Sequence, residues 1–504
     1  MSQLIVCCDG TWNTLEHTDQ GLPAPTNVAK LYNAAVKDEQ QQVYYHPGVG
    51  TNGGWLDRMV GGGTGAGLER NIMSAYQWLA VRYQAGDRIF LFGFSRGAYT
   101  VRSLGGLLAH SGLLDLSDPS LAPAQVWSRV EQVFEAYRSG EPFANPDGWA
   151  FHGVSPGQPT AGSIGVHFMG VWDTVGALGI PLELSVLRFI GDPRRYQFHD
   201  TKISLMIANA RHAVAMDERR ADFMPTLWTN IRRPDRVHQV WFPGVHGDVG
   251  GGYAQAGLSD IALAWMLDEA SDCGLRLRAN TRAQLRPDPQ GVLHDSRQGL
   301  FKLGRNQPRA VAQVTAASAQ AGLLHPSALA RQADPPLAQG DYWPSRVLAP
   351  GAAATMDVFA SAHWNATGLY LEAGVAYRFA ASGEWLDAST KFTPAGGEVD
   401  GHHASDIARL AASALGSVEH VFNAASHGDS DFWFTRRVES APWCALVGFV
   451  ANDVGEARGE TFVIGEGCSF TPAASGYLYA YANDAWQAYA NNHGSVALRV
   501  ERVG

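Results

Sequence analysis

Residues 91–100 read LFGFSRGAYT. An apolar run ends at a serine with a glycine two residues to either side, Gly93-Phe94-Ser95-Arg96-Gly97, and the chain then continues with helical spacing. A strand that stops at a serine held in a sharp turn before a helix is the nucleophile elbow of α/β-hydrolases. The pattern alone is common in a chain with 56 glycines, and Gly153-Val154-Ser155-Pro156-Gly157 matches it as well. Chemistry separates the two. In an elbow, the N–H of the residue after the serine helps bind an oxyanion. Pro156 has no N–H, and no apolar strand leads into Ser155, so the second match reads as a loop.

Working outward, LIVCC (4–8), RIFLFGF (88–94), GVHFMGVW (165–172) and RVHQVWF (236–242) read as strands. Residues 68–84 place Leu68, Ile72, Tyr76, Leu79 and Tyr83 on one helical face, and Val101, Leu104 and Leu108 do the same after the elbow. The first ~340 residues thus alternate strands with helices, which predicts an α/β-hydrolase-like, mainly parallel sheet with helices on both faces. Each of the four strands hands over to polar residues: Asp9, Ser95, Asp173, and His246 with Asp248. Open parallel sheets bind ligands outside those carboxyl ends.

A serine hydroxyl needs a base to take its proton, and the base needs a carboxylate to fix its tautomer. In α/β-hydrolases the chain order is Ser, then Asp or Glu, then His. Ser95, Asp173 and His246 satisfy it. Asp248 and Asp9 remain alternative acids, and His212 and His238 rank lower as bases because they fall inside an apparent helix and strand. The Arg96 N–H is the expected first oxyanion donor, and the Gly10–Thr11 turn the second. A metal-dependent hydrolase using Asp9, Asp173, His246 and Asp248 as ligands, or an inert hydrolase-like domain attached to a carbohydrate-binding domain, are the other readings. VGGGTGAGLERN (60–71) reads as a phosphate-holding helix start or a flexible loop. LGIPLELSVLRFI (178–190) reads as a lid or as core.

Composition sets bounds. A net charge of −10 excludes a nucleic-acid binder that relies on a broad basic face. Five cysteines form no C-x-x-C pair, and a Cys444–Cys468 bridge is left open. The start, MSQLIVCCDGTWN, has no basic region and too short an apolar run for a signal peptide, so synthesis in the cytoplasm without one is expected. The tract ALARQADPPLAQGDYWPSRVLAPG is rich in Pro, Ala and Gly, and it divides a catalytic domain, 1–348, from 349–504, where short strands and Gly/Asn/Asp turns predict an all-β sandwich.

CCDGTWN, the elbow, GVWDTVG, ANARHAVAMDERRADFMPTLW and VWFPGVHGDVGGGY, taken in order over roughly residues 3–348, resemble the type VI secretion lipase effectors of the first class. The resemblance implies a phospholipase A-type esterase and antibacterial toxin acting at phospholipid membrane surfaces. It needs no catalytic cofactor, is secreted into target cells, and has a secretion-apparatus component and an immunity protein as partners. The family's serine, aspartate and histidine fall on Ser95, Asp173 and His246.

AASGEWLDASTKFTPAGG, ALVGFVAND and YAYANDAWQAYANNHGS resemble the calcium-dependent galactose-binding bacterial lectins. That resemblance implies calcium held by Asp484, Asn491 and Asn492 side chains, the Ala488 carbonyl and Asp387, with a galactose-type glycan as partner. Hard oxygen donors of this kind suit calcium; a metal-free Asn/Asp-rich turn is the plainer alternative. The stretch between Gly397 and Trp443, with His402 and His403, departs from the lectin pattern and leaves the sugar specificity open.

Overall fold

The computed structural model describes residues 1–11, 13–48, 65–153, 164–176, 203–229, 231–298, 304–398, 436–454 and 458–503. The glycine-rich stretch 60–64, Ser155, the segment 178–190, and His402 and His403 lie outside the described residues. The chain divides into two compact units: Met1–Gly304 with Ala319–Ala338, and Arg305–Ser318 with Gln339–Gly504.

The first unit is built on β1 (Gln3–Cys8), a short β2–β3 ladder (Thr18–Asp19, Leu22–Pro23), β4 (Gln41–His46), β5 (Arg88–Phe94), β6 (Val166–Trp172), β7 (Ala210–Ala215) and β8 (Val237–Phe242). Six of these form one sheet in the order β4-β1-β5-β6-β7-β8, and every pairing in it is parallel. Its central strands β1, β5 and β6 are near-continuous apolar runs because both faces are covered. Leu4, Val6, Leu91 and Met169 pack under α2 (Gly65–Arg82) and α3 (Arg96–Ser111). Their neighbours Ile5, Cys7, Phe90, Phe92 and Phe168 pack under α1 (Asn27–Ala34) and α5 (Gly257–Asp272). The strand order reverses between β1 and β5, so the loops after those two strands open a crevice at the switch point.

Two strands differ from the sequence reading. β4 was not predicted, and residues 210–215, expected to be helical around His212, form the fully buried strand β7. Burial inside a parallel sheet overrides the helical preference of ARHAVA.

The second unit contains two antiparallel sheets. β10 (Asn365–Leu371), β16 (Gly476–Ala482), β13 (Leu446–Ala451) and β14 (Glu460–Val463) form one. β12 (Thr390–Phe392), β11 (Tyr377–Asp387), β17 (Asn492–Arg502) and β9 (Ala353–Phe359) form the other, and β15 (Gly467–Phe470) also pairs with β11. Residues of both sheets, among them Trp385, Leu446, Leu478 and Val496, share one core. Residues 305–318 and 339–348 pack with this unit: Val314 N–H donates to the Tyr477 hydroxyl, and Tyr370 N–H to the Arg346 carbonyl. Cys444 and Cys468 are free thiols. Among the described residues, no helix is long and apolar enough to cross a membrane.

Candidate active site

Close backbone approach explains both glycines of the elbow. A Cβ on Gly93 would stand 2.4 Å from the Gly97 carbonyl oxygen. A Cβ on Gly97 would stand 2.1 Å from the Cys8 carbonyl oxygen and 2.4 Å from that of Asp9. Helix α3 can therefore start directly against the end of β1 only with glycine there. Between them Ser95 adopts φ 57°, ψ −123°, a conformation that L-residues avoid and that is held here by its surroundings. Its N–H donates to the Trp172 carbonyl at 3.1 Å, which ties the elbow to the end of β6.

The next residue after Trp172 is Asp173, fully buried and also at positive φ, 36°. Its Oδ2 accepts from His246 Nδ1 at 2.6 Å, and its Oδ1 from the Ala215 N–H at 2.9 Å. His246 opens α4 (His246–Gly250) after β8. Its ring lies 4.6 Å from that of Phe94, beside the serine, and edge-on to Phe223 at 5.0 Å. The Nδ1 bond to a carboxylate sets Nε2 as the basic nitrogen. Burial pushes the imidazole below its ordinary value, and the Asp173 bond opposes that.

The alternative acids have other partners. Asp248 accepts from His294 Nδ1 at 2.5 Å, and from the Val245 and His294 N–H groups. Asp9 accepts from the Tyr45 and Thr26 hydroxyls, each at 2.7 Å, and from the Gly10 N–H. Burial pushes the Asp9 carboxyl up to about 6. Among the described residues, no three His, Cys, Asp or Glu side chains are grouped to hold a metal. His212 supports the loop behind Asp173, accepting from the Thr174 N–H at 3.1 Å. Because Asp9 takes the Gly10 N–H, the next donor along the turn is Thr11, whose buried Oγ1 has no partner among the described residues. That turn is beside the serine: a Cβ on Gly10 would lie 3.3 Å from Ser95 Cβ. Arg96 is buried, and desolvation lowers its guanidinium to about 10.

In the second unit, Asn491 Nδ2 donates to Asp387 Oδ1, and Asn492 Nδ2 to Asp484 Oδ2, each at 2.8 Å. Both amide oxygens of that pair, Asn491 Oδ1 and Asn492 Oδ1, are buried and have no partner among the described residues. Burial and the Asp387 charge push Asp484 up to about 6. Two carboxylates and two orphan amide oxygens are a hard donor set that fits calcium. The Ala488 carbonyl accepts from the Asn491 N–H in the same loop.

Sequence reasoning missed Glu218, a fully buried carboxylate that accepts from the His246 N–H at 3.2 Å. It also missed His294. Glu218 falls within the ANARHAVAMDERRADFMPTLW motif, but a charged run such as DERR more often marks a solvated turn.

Over residues 2–269 the chain matches the family described as T6SS, phospholipase effector Tle1-like, catalytic domain. The uncharacterized protein YEL023C of Saccharomyces cerevisiae is 28% identical over 247 residues, which are 45% of this chain and 32% of that protein. The chain thus spans only that smaller fraction of the curated relative it matches. Among solved structures, an uncharacterized protein from Pseudomonas aeruginosa is 19% identical, with 56% of this chain and 47% of that chain covered and a TM-score of 0.31. The Tle1 effector bound to the VgrG spike from the type 6 secretion system is 18% identical, with 51% and 52% covered and a TM-score of 0.30. The EclA N-terminal domain, a PllA-like lectin, is 17% identical, with 29% and 94% covered and a TM-score of 0.19. Because the family match runs through more than half of the 504 residues and takes in Ser95, Asp173 and His246, the chain belongs to the Tle1-like phospholipase effectors of type VI secretion.

Proposed function

We propose that this chain is a serine phospholipase of the A type, hydrolysing acyl esters of glycerophospholipids. His246 Nε2 takes the proton of Ser95, whose Oγ attacks the acyl carbonyl. The Arg96 and Thr11 N–H groups receive the oxyanion, and Asp173 stabilises the imidazolium. The imidazolium then protonates the departing lysophospholipid oxygen, and water activated by the same histidine releases the fatty acid. The observation that carries this reading is the 2.6 Å bond between Asp173 and His246, residues far apart in sequence that meet beside a strained serine. Fatty-acid release from mixed phospholipid vesicles by the wild type and Ser95→Ala tests it. Loss of release in the variant supports the reading. A wild type that releases nothing from several headgroups and short-chain esters sinks it.

The biological setting belongs to the same proposal. As a member of its family the chain acts inside target cells after type VI secretion, with a spike component and an immunity protein as partners. The orphan Asn491 and Asn492 oxygens beside Asp387 and Asp484 favour a second role for the C-terminal unit, binding calcium and through it a galactose-type glycan. Retention on immobilised galactose that chelation abolishes is the expected result; binding indifferent to calcium would count against it.

A further inference from the structure

Glu218 lies in the turn Met216-Asp217-Glu218-Arg219-Arg220 that follows β7, and its side chain is fully buried. None of the chemistry assigned above uses a carboxylate there, and burying one is costly unless it is matched. Its Oε1 accepts from the Arg219 and Arg220 N–H groups, Arg220 Nε and the Ser296 hydroxyl. Its Oε2 accepts from Arg220 Nη2 at 2.8 Å and from the backbone N–H of His246 at 3.2 Å. The same ion pair reaches the imidazole by a second route. The Arg220 guanidinium lies 3.5 Å over the Phe223 ring, and Phe223 stands edge-on to the His246 ring.

One residue earlier, the Val245 N–H is held by Asp248. Two buried carboxylates thus grip consecutive N–H groups at the start of the helix that carries the base. Both are fastened by one short segment: His294 bonds Asp248 through its ring and its N–H, and Ser296 bonds Glu218. That segment lies beyond residue 269, where the family match ends.

We infer that Glu218 is a positioning residue for His246, and that His294 and Ser296 act as a strap completing the seat of the base from outside the matched catalytic-domain segment. The inference rests on the reading of His246 as general base. Among the described residues, Asp173 from the end of β6, and Glu218 and Arg220 from the turn after β7, are the charged groups that face the imidazole. Phe94 from the elbow side is uncharged, and Asp248 in the same helix is paired with His294.

The test uses the full chain, a short-chain p-nitrophenyl ester, and kcat and KM measured against pH for Glu218→Gln, Ser296→Ala, His246→Ala and Ser95→Ala. Glu218→Gln keeps the shape of the side chain and removes its charge. A small misplacement of the base is enough to lower kcat about 10-fold or more while KM stays within about 2-fold. The acidic limb of the profile should move to lower pH, because the imidazolium loses an anion while Arg220 stays. Ser296→Ala, which alters no charge, should lower kcat about 2- to 5-fold and leave the limb in place. Wild-type kcat with an unmoved limb in Glu218→Gln overturns the inference. So does a loss of rate that only follows loss of folded protein, the limb unmoved, while Ser296→Ala runs at the wild-type rate. Wild-type rates in Ser95→Ala or His246→Ala would instead remove the triad reading, and the inference with it.

Discussion

Asp173 uses one carboxylate oxygen on His246 and the other on the Ala215 N–H, so its plane is fixed against β7 as it orients the ring. The base works only when neutral, so activity falls as pH drops through the imidazole's own value. Burial holds that value below the ordinary 6.5, and the acidic limb of kcat/KM should therefore lie below pH 6.5 in the free enzyme. Asp173→Asn removes the anion that supports the imidazolium. The limb should move lower still, and kcat should fall by about 10⁴ because the tautomer is no longer fixed. A pH profile for the two proteins decides the matter; an unmoved limb with near-normal kcat would reduce Asp173 to a packing role. At this scale the sequence was only partly legible. Asp9, Asp173 and Asp248 each follow a strand and look alike on the line, and only their partners tell them apart: Tyr45 and Thr26 for the first, His246 for the second, His294 for the third.

At the scale of elements, the elbow is a packing statement before it is a chemical one. Gly97 seats α3 on the carbonyls that end β1, and Gly93 seats β5 on Gly97. Gly97→Ala would push a methyl into two backbone oxygens that have no soft side chain to yield. It should destabilise the protein by about 3 kcal/mol and displace the Ser95 turn. Thermal unfolding and esterase rate should fall together; a variant of normal Tm and rate would show that α3 can slide. Strands β1 and β5 are readable because both-face burial writes them as unbroken apolar runs, and β6 and β8 because theirs are interrupted only at His167 and at His238 with Gln239. β4 was not, since QQVYYH is polar at its start and only half-buried beyond it. β7 was misread because alanines and a histidine carry no strand signature of their own. The consequence is functional: the turn after β7 holds Glu218, and without the strand the motif that contains DERR carries no assignable site residue. The strap at 294–296 was invisible for a related reason, being an irregular segment defined only by what it bonds.

Across the whole molecule, buried acids link stability to pH. Asp484 is ordinarily a carboxyl near 3.8, but burial and the Asp387 charge push it up to about 6 in the folded chain. The folded state therefore holds a proton that the unfolded state has already released. Stability is fully present below the lower value and is lost as pH rises through about 6. The loss amounts to about 3 kcal/mol for a shift of this size. A cation taken up between Asp387, Asp484 and the two orphan amide oxygens would reverse that penalty, adding about 2.7 kcal/mol at a concentration 100-fold above Kd. Calcium should therefore raise the Tm at pH 7.5, and chelation should lower it. Asp484→Asn should abolish the response while holding or raising the calcium-free Tm, because a buried charge is gone and the Asn492 amide can turn to pair with the new group. Hydrolysis of a short-chain ester should be indifferent to chelator throughout, since the acids around Ser95 are committed to Tyr45, Thr26, His246 and His294. A wild-type Tm that ignores calcium, or a variant that still responds to it, would leave the Asn/Asp loop as a metal-free turn; an esterase that stops with chelator would move the metal to the first unit.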